Sequence, residues 1–489
     1  MSWKILTAMV AVGVAGTVGC VVGPNYHPSP PSAPAVWISP VSGVTDSATT
    51  PFSWWASFND VELDSLIERA VRSNLDLRAA GARLRQARAV RQGSAADFWP
   101  SVDSPDSYAR QKQSQNQPLI GSLALPPNFP FEYNVYSAGF DASWEIDIFG
   151  GKRRALEAAT AEWEGAIEAR NGAMVSLLAE VARNYVELRG GQQRLEIARR
   201  NVKLQAEALE LTRARFQGGV ATELDVTRSA ALLASTEAVI PPLETDVRSA
   251  MYGLAVLLGQ QPGELVAELS APAAVPTVPP IVPIGLPSDL LERRPDVRRA
   301  ERQLAAETAR IGLAKSDWFP KLSLTGDAGT ESVSITNWFD AGSHFWSIGP
   351  SLQWRALDFG RVRAEVRAQT AVQEAALATY QKTVLISLQE AESALVTYAQ
   401  EQNRHRALAE EVAENRRSLD MADGLYAEGR VNFLDVLDVR RSLYQSDDQL
   451  AVSDQAVSLD LVALYKALGG GWETLTPRPA KAISAVPAP

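Results

Sequence analysis

Two patterns of apolar and polar positions account for most of the chain, and each pattern occurs twice. Apolar residues alternate with polar ones across 136–148 and again across 346–356. This two-residue period predicts strands with one apolar face, as in transmembrane β-strands, although a half-buried hairpin of a soluble protein shows the same alternation. The segment 101–110 gives a weaker strand signal because Pro105 and Asp106 interrupt it.

Long helical patterns follow the strands in each half. Apolar residues recur at helical spacing over about 152–217 and about 361–427, which predicts two helices of roughly 66 residues each. Shorter helices are predicted ahead of the strands, at about 60–97 and 287–320. A return helix with a seven-residue apolar repeat completes each half.

Glycine and proline pairs mark the expected breaks in these helices. Gly190-Gly191 is expected to interrupt the first long helix near its middle. Pro241-Pro242 is expected to break or kink the first return helix, whereas the second return helix has no such pair. Pro295 suits the first turn of a helix that resumes within 287–320.

The turn between each long helix and its return helix is the clearest internal repeat. Residues 216–226 read FQGGVATELDV, and residues 426–436 read YAEGRVNFLDV. An aromatic residue, a glycine and then Leu-Asp-Val at the start of a new apolar pattern indicate a helix end, a turn and a helix start. We therefore predict two tandem structural repeats, each ending in a helical hairpin.

Composition and charge exclude several classes of function. The formal net charge of −10 argues against a nucleic-acid partner. The chain has one cysteine, Cys20, so neither an intramolecular disulfide nor a cysteine metal cluster is expected. The three histidines, His27, His344 and His405, lack the spacing of a zinc site. Because no nucleophile–base–acid set or phosphate loop is found, we expect neither enzyme activity nor a cofactor.

The first residues are typical of an export signal. Residues 1–19 have a positive start and a short apolar run, and the TVGC that ends at Cys20 resembles a lipobox, where a bacterial lipoprotein is cut and acylated. Cys20 is therefore expected to carry a covalent lipid; the alternative is a free cysteine that closes an N-terminal anchor helix. Val21 in place of Asp implies sorting to the outer membrane. The Pro-rich segment 23–51 is expected to be an extended tether or plain disorder.

The strand count predicts an oligomer. Two hairpins supply four strands, and four strands cannot close a barrel in a membrane that does not tolerate open sheet edges. Two copies of the chain would give a small, filled barrel, whereas three copies would give twelve strands and a pore. The same oligomer would gather its helical hairpins into a long tube.

Several segments together resemble the TolC family of outer-membrane efflux channels, in its NodT-type lipoprotein branch. They are Cys20 with GPNYHPSPP just after it, the two LDV tips, LLERRPDVRRAERQLAA at 290–306, FPKLSL at 319–324 and LDFGR at 357–361. The resemblance implies an α+β membrane protein, a trimer whose twelve-stranded β-barrel, with four strands per chain, is continuous with a long periplasmic α-helical barrel. It also implies an exit duct that works with a periplasmic adaptor protein and an inner-membrane pump. Thr17, Pro105-Asp106 and Pro241-Pro242 depart from the family pattern.

These patterns give the expected domain boundaries. They are a signal peptide at 1–19, a lipid-anchored extended segment at 20–59, a first repeat at 60–261, a Pro-rich linker at 262–286, a second repeat at 287–470 and a C-terminal tail at 471–489. The β-hairpins are expected at 101–148 and 320–358, and the helical hairpins at 152–258 and 361–468. Most of the chain would then lie in the periplasm, attached to the bacterial outer membrane.

The preferred function is passive conduction of drugs or other small molecules to the exterior, with energy supplied by the pump. The alternatives are an outer-membrane channel for type I protein secretion and a non-conducting coiled-coil spacer between membranes. The heptads allow a spacer, but a spacer does not require the alternating strands.

The hairpin tips hold the predicted site residues. A glycine at a helix end allows a tight turn and leaves the backbone open to a partner. Contact with the adaptor is expected at Gly218, Gly219, Val220, Gly429, Arg430 and Val431.

The resemblance also implies a periplasmic gate at the second tip. Leu434, Asp435 and Asp438 would form rings around the narrow end of the tube, and Tyr426 and Arg430 would hold the closed state. Such rings would favour cations and restrict flow. The helix dipole offers a second explanation for an Asp in a first helical turn, and it suits Asp435 better than Asp438.

Overall fold

The computed structural model describes residues 21–28, 33–38, 44–45, 53–114, 130–279 and 282–473. The predicted signal peptide and Cys20 lie outside these ranges, as does most of the predicted C-terminal tail. No helix within the described ranges has the length and apolar character needed to cross a membrane.

The described residues form long helices and a small number of strands. The helices are α1 Val61–Ser73, α2 Leu75–Ala96, α3 Gly151–Gln217, α4 Glu223–Glu237, α5 Ile240–Leu257, α6 Val266–Leu269, α7 Pro287–Arg293, α8 Pro295–Ser316, α9 Arg361–Ala427 and α10 Phe433–Ala467. The strands are β1 Val44–Thr45, β2 Ser101–Asp103, β3 Ser107–Lys112, β4 Glu132–Ile146, β5 Val282–Pro283, β6 Lys321–Ser332 and β7 His344–Gln353.

An antiparallel sheet joins the two repeats. Its strand order is β2–β4–β6–β7, and β3 also pairs with β4. The first repeat thus contributes β2 to β4, the second contributes β6 and β7, and the two repeats meet at the β4–β6 pairing. Within the described chain, β2 and β3 form one edge of the sheet and β7 forms the other.

The weak strand predicted at 101–110 is two short strands with an interruption between them. Side chains fasten this interruption to β4: the Ser104 hydroxyl donates to the carbonyl of Gly139 at 3.0 Å, and the Gly139 N–H donates to Asp106 Oδ1 at 3.3 Å. The Pro105-Asp106 pair therefore splits the edge strand without detaching it from the sheet.

The two repeats enter the sheet through equivalent hydrogen bonds. In the first repeat the indole N–H of Trp144 donates to the carbonyl of Phe98 at 2.8 Å. In the second the indole N–H of Trp354 donates to the carbonyl of Trp318 at 3.2 Å. Each bond joins a residue just after a short helix to an indole within β4 or directly after β7, so the similarity of the two repeats extends to single side-chain contacts.

The predicted helix at about 60–97 is in fact two helices, which is a correction to the sequence analysis. Asn74 has ψ 132° and ends α1. Its amide donates to the carbonyl of Leu257 at 2.9 Å, and its side-chain oxygen accepts from the Leu77 N–H at 2.8 Å. Asn74 thus supplies polar partners to the ends of two helices.

The corresponding break in the second repeat uses an arginine. The Arg294 guanidinium donates to the carbonyl of Ala467 at 3.0 Å and pairs with Asp296 and Glu390. Arg294 and Asn74 are related by the repeat, as are Ala467 and Leu257. The resumed helix begins at Pro295, as predicted.

The expected interruption at Gly190-Gly191 is wrong, because α3 continues unbroken through both glycines. Both are buried. A Cβ at Gly190 would overlap the side chain of Gln455, and one at Gly191 would lie 3.0 Å from Val247 Cγ2. The glycines allow close helix packing instead of a break. The first return helix does break at its prolines, between Glu237 and Ile240, whereas α10 runs for 35 residues.

The chain divides into two compact units. Among the described residues, the first comprises 21–28, 85–114, 130–165 and 301–379, and the second comprises 33–38, 44–45, 53–84, 166–279, 282–300 and 380–473. The first unit contains the antiparallel sheet, and the second contains both hairpin tips. In the second unit, Trp54 is buried and stacks on Tyr465, with ring centroids 5.2 Å apart.

Side-chain contacts order the helices of the first unit as α2, α3, α8 and α9. The contacts are Arg91 Nε with Thr160 Oγ1 at 3.0 Å, Arg302 with Glu164 at 3.0 Å and Gln369 with Glu307 at 2.8 Å. Arg310 also pairs with Glu162 between α8 and α3. This order leaves α2 and α9 as the outer helices, on the same sides as the sheet edges with which they are continuous in sequence.

The candidate functional site at the hairpin tips

The first hairpin tip has a closed turn with defined hydrogen bonds. The Gly219 N–H donates to the carbonyl of Phe216 at 3.0 Å, and the Val220 N–H donates to the carbonyl of Arg215 at 2.9 Å. This pair of bonds is a Schellman motif, which requires a left-handed residue after the helix. Gly219 fills that position with φ +71°.

A capping box starts the return helix of the first tip. The Asp225 N–H donates to Thr222 Oγ1 at 3.3 Å, and Asp225 Oδ2 accepts from the Thr222 N–H at 2.9 Å. These two bonds satisfy N–H groups that have no partner inside the helix. Hydrogen bonds from the backbone and hydroxyl of Thr222 lower the pKa of Asp225.

The second tip repeats this geometry with different side chains. Its Schellman bonds run from the Gly429 N–H to the carbonyl of Tyr426 at 3.0 Å and from the Arg430 N–H to the carbonyl of Leu425 at 2.9 Å. Gly429 has φ +70°. Asn432 and Asp435 form the capping box, with both reciprocal bonds at 3.1 Å. The fold therefore uses both glycines for left-handed turns and Asp435 as a helix cap.

The remaining predicted adaptor-contact residues differ in exposure. Val220 is 79% exposed, whereas Val431 is half-buried. A Cβ built at Gly219 or at Gly429 would meet no atom within 4 Å, so both turns face open space. Gly218 precedes the left-handed position, and its N–H donates to the carbonyl of Ala214. The tips thus present backbone and small side chains outward.

Tyr426, near the end of α9, contacts side chains from two other helices. The Arg215 guanidinium, near the end of α3, is 4.5 Å from the centroid of its ring. The Phe433 ring, at the start of α10, is 5.7 Å away. The Tyr426 hydroxyl is buried and has no hydrogen-bond partner in the described part of the chain. Tyr426 therefore ties the two hairpins of one chain together through its ring.

The other predicted gate residues are not gathered around Tyr426. Arg430 is exposed and pairs with Glu428 at 3.3 Å. Asp438 is exposed and pairs with Arg441 at 3.1 Å. Leu434 is half-buried beside the cap residue Asp435. Within a single chain, Asp438 and Arg430 have carboxylate–guanidinium contacts of the kind that contribute little to stability at a surface.

Sequence reasoning missed two residues at the tips. Arg215 corresponds to Leu425 in the other repeat, and this cationic difference beside an aromatic position was the available signal. Asn432 corresponds to Thr222, and an Asn or Thr three residues before an Asp is the signal of a capping box. Among the described residues, no group of three or more His, Cys, Asp or Glu side chains could hold a metal ion.

Comparison with known proteins decides the family. The model of the family described as "Outer membrane efflux protein" matches residues 66–260 and 286–470. The chain belongs to this family. The two matched segments cover both repeats, so the predicted family and outer-membrane location are confirmed.

Related proteins agree with this membership. The chain is 31% identical to nodulation protein T of Rhizobium leguminosarum bv. trifolii, over 93% of this chain and 95% of that protein. It is 32% identical to the pyoverdine export outer membrane protein OpmQ of Pseudomonas aeruginosa, over 97% of this chain and 98% of that protein. The solved structure of the outer-membrane channel OprN superposes with a TM-score of 0.85 at 38% identity and covers 93% of this chain and 100% of its own. The predicted TolC-like fold and the function of outer-membrane efflux channel are confirmed.

Proposed function

We propose that three copies of this chain form the exit duct of a tripartite efflux system and pass small molecules from an inner-membrane pump and a periplasmic adaptor to the exterior. The observation that carries the proposal is the pair of open edges in the first unit. Each chain has a sheet edge and a helix edge on both of its sides, and only other copies of the chain supply matching edges.

The strands support a membrane location for the sheet. Their exposed faces carry large apolar side chains, including Phe140 at 63%, Trp346 at 76% and Leu352 at 66% exposure. The edges β2/β3 and β7 have backbone groups that a lipid interior could not satisfy. Pairing β7 of one copy with β2 and β3 of the next satisfies these groups, and three copies give twelve strands.

The outer helices support closure by the same neighbours. Helix α2 exposes small or short polar residues at a spacing of three and four, namely Ala79, Ala82, Gln86, Ala89, Gly93 and Ala96. Helix α9 exposes a similar series, namely Ala364, Ala368, Ala371, Ala375 and Ala378. Residues at this spacing form a stripe along one face of a helix, and two such stripes allow two helices to approach closely at a shallow crossing angle. Helix α2 of one copy therefore fits α9 of the next.

The hairpin tips are proposed to contact the adaptor and to form the gate. Their outward-facing turns at Gly219 and Gly429 leave backbone open to a partner, and three-fold symmetry would turn Leu434 and Asp438 into rings. Tyr426, whose ring is held by Arg215 within one chain, would keep the two hairpins together in the closed state. An adaptor that favours the untwisted arrangement of the hairpins would open the duct by shifting this equilibrium.

The anchor and the cargo are further parts of the proposal. Cys20 is proposed to be acylated, because an export signal ends at TVGC, and mass spectrometry of the mature N-terminus tests this. Relatives named for export of pyoverdine and for efflux of toluene and of antibiotics support small organic molecules as cargo. We assign the chain no enzyme activity.

The decisive experiment measures oligomeric state, conductance and efflux on one preparation. The purified protein in mild detergent should have the mass of a trimer and should conduct ions in a planar bilayer. Expression in a strain that lacks its own efflux ducts, together with a cognate adaptor and pump, should lower dye accumulation. A stable monomer or dimer that still conducts would contradict the trimer. A trimer without conductance would favour the coiled-coil spacer, and a strain that exports proteins but retains dye would favour type I secretion.

A further inference from the structure

The segment that follows Cys20 lies in a groove of the first unit instead of extending into solvent. The Val22 N–H donates to the carbonyl of Phe149 at 3.2 Å, where β4 leads into α3. The Tyr26 hydroxyl donates to Glu301 at 3.0 Å, and its ring packs on the buried alanines of α3 and α8. The segment is thus attached at both of its ends.

Arg154 holds the middle of the segment. Its guanidinium donates to the carbonyl of Val22 at 3.1 Å, to the carbonyl of Gly23 at 3.3 Å and to Asn25 Oδ1 at 2.7 Å. Its side chain is only 2% exposed, and among the described residues its one partner outside the segment is Glu157 at 2.7 Å. A buried guanidinium needs acceptors for its five N–H groups. The segment supplies three of the acceptors that make burial of Arg154 possible, and Arg154 in turn holds the segment in place.

Glycines shape the groove for close approach of the chain. A Cβ at Gly23 would overlap the backbone of Gly312, and Gly23 also has φ +95°. A Cβ at Gly312 would lie 2.7 Å from Arg154 Nε. A Cβ at Gly150 would lie 3.0 Å from the Val21 backbone. The fit on both sides is therefore specific to residues without side chains.

We propose that the groove around Arg154 and Gly312 is a docking site for the mature N-terminus, Val21 to Tyr26, and that it fixes Cys20 beside the Phe149-Gly150 junction. The role of this site as an anchor guide rests on the proposed acylation of Cys20. Because Cys20 directly precedes Val21, its Cα lies about 3.8 Å from that of Val21. A lipid on Cys20 then enters the membrane at the end of the sheet where β4 leads into α3. A free tether would let the lipid insert at any point within its reach.

Amide hydrogen exchange of a peptide covering residues 21–28 tests the docking in the full-length trimer. The substitution Arg154→Gln removes the guanidinium that bonds Val22, Gly23 and Asn25, and we expect exchange to become at least roughly tenfold faster. The matched control is Arg153→Gln, at the neighbouring position, where the guanidinium pairs with Asp147 at 3.2 Å. Unchanged exchange in Arg154→Gln would overturn the proposal.

A second variant guards against loss of folding. Gly312→Ala raises helix propensity in α8 but places a methyl group 2.7 Å from Arg154 Nε. We expect it to release the segment while the sheet and helices stay protected. A photo-crosslinker at Val21 should join the chain near Gly150 in the wild type and should lose this product in Gly312→Ala. Retention of the same crosslink in that variant would contradict the proposal.

The experiment also separates docking from acylation. In a variant with Cys20→Ala behind a cleavable, non-lipoprotein signal peptide, we expect slow exchange over residues 21–28, because the contacts begin at Val21. Fast exchange in this variant alone would show that the lipid and not the groove holds the segment, which would overturn the docking site. If the wild type carries no lipid but its segment is protected, the docking site stands and the proposed anchor fails.

Discussion

The two helical hairpins have the same turn but different surroundings. Both tips combine a Schellman motif at a glycine with a capping box at an Asp, with equivalent bonds that differ by 0.2 Å or less. Beyond the turn they diverge. The first return helix breaks before its prolines into α4 and α5, whereas α10 is continuous. The shared part offers the same outward-facing turn twice, as a contact made by both hairpins would require, whereas a role confined to one hairpin must be sought in the parts that differ.

The two hairpins differ in the charged and aromatic side chains near their tips, and the second hairpin has more contacts between such side chains. Phe216 in the first tip is exposed, but its counterpart Tyr426 lies between Arg215 and Phe433. Arg228 in the first repeat corresponds to Asp438 in the second. The second hairpin is therefore the better candidate for the gate, and exchanging residues between the repeats tests this assignment.

The largest effect is expected from the shared part, at the two left-handed glycines. Replacing Gly219 and Gly429 together by leucine should abolish efflux, because a Cβ in the left-handed region costs roughly 1–2 kcal/mol and the side chain would cover the outward-facing turn. Trimer mass and conductance should persist. Drug susceptibility and bilayer recordings measure the two properties separately.

A matched control for the glycine variants is Gly424→Leu, on the last part of α9. A Cβ at Gly424 also meets no atom within 4 Å, but its backbone is helical, so leucine adds bulk without strain. Efflux should survive this change. If efflux instead survives both tip substitutions, the tips are turns without a partner.

The next effect concerns the contact between the hairpins at Tyr426. Tyr426→Leu removes the ring that lies over Arg215, and Arg215→Leu copies Leu425 of the other repeat; each should raise the closed-channel conductance several-fold. A cation–π contact is worth about 0.5–2 kcal/mol, enough to shift a gate equilibrium by this amount. The double variant should conduct no more than the stronger single one.

Tyr426→Phe separates the ring from the hydroxyl. It keeps the contact with Arg215 and removes only a hydroxyl that has no partner in the described part of the chain. Because this hydroxyl is buried within one chain, Tyr426→Phe should conduct like the wild type, and a rise in conductance would indicate that the hydroxyl gains a hydrogen-bond partner when the trimer closes. Equal conductance of the wild type, Tyr426→Leu, Arg215→Leu and Tyr426→Phe would remove Tyr426 from the gate.

The turn chemistry could be predicted from sequence, but the contacts between hairpins could not. Glycine after an aromatic residue, followed by a polar residue three positions before Asp, specifies local hydrogen bonds that depend on neighbours in sequence. Arg215 meets Tyr426 only because two hairpins pack side by side, and no local pattern encodes that contact. The predicted gate residues therefore did not include Arg215, the cation that contacts the Tyr426 ring.

The same distinction explains the errors in the helices. Gly190 and Gly191 suggest a break in isolation, yet Gln455 and Val247 occupy the space that side chains there would need. Asn74 caps the start of α2 locally, a signal that the sequence analysis did not use, whereas its bond to the carbonyl of Leu257 joins residues far apart in sequence and has no local signal. The break before Pro241 was predictable because proline acts on its own backbone.

A smaller effect is expected for ion selectivity at the second tip. Asp438→Arg copies Arg228 of the first repeat, and it should weaken cation selectivity if three copies of Asp438 form a ring. Asp438→Ala with Asp435→Ala should weaken it too, but Asp435→Ala also removes a capping bond and should destabilise the helix start by about 0.5–2 kcal/mol. Reversal potentials in a salt gradient measure selectivity. The control is Arg441→Gln, which frees Asp438 from its pairing and should leave or increase the selectivity.

The smallest effect is expected on stability, at a position where the two return helices differ. Asp460 in α10 corresponds to the buried Ala250 in α5. Burial first, and then the charge of Glu401, raise the pKa of the Asp460 carboxyl to about 6. The folded protein thus keeps this proton up to about pH 6, whereas the unfolded chain releases it near its ordinary pKa of about 3.9, so the free energy of unfolding falls as pH rises between these values. Asp460→Ala should remove this loss and stabilise the protein above pH 6 by about 1–2 kcal/mol, after allowance for partial exposure. Thermal unfolding midpoints at pH 4 and pH 8 measure the effect, with Asp420→Ala, at an exposed position, as control. A gain of equal size at both pH values would reflect the higher helix propensity of alanine and would remove Asp460 as a titrating group.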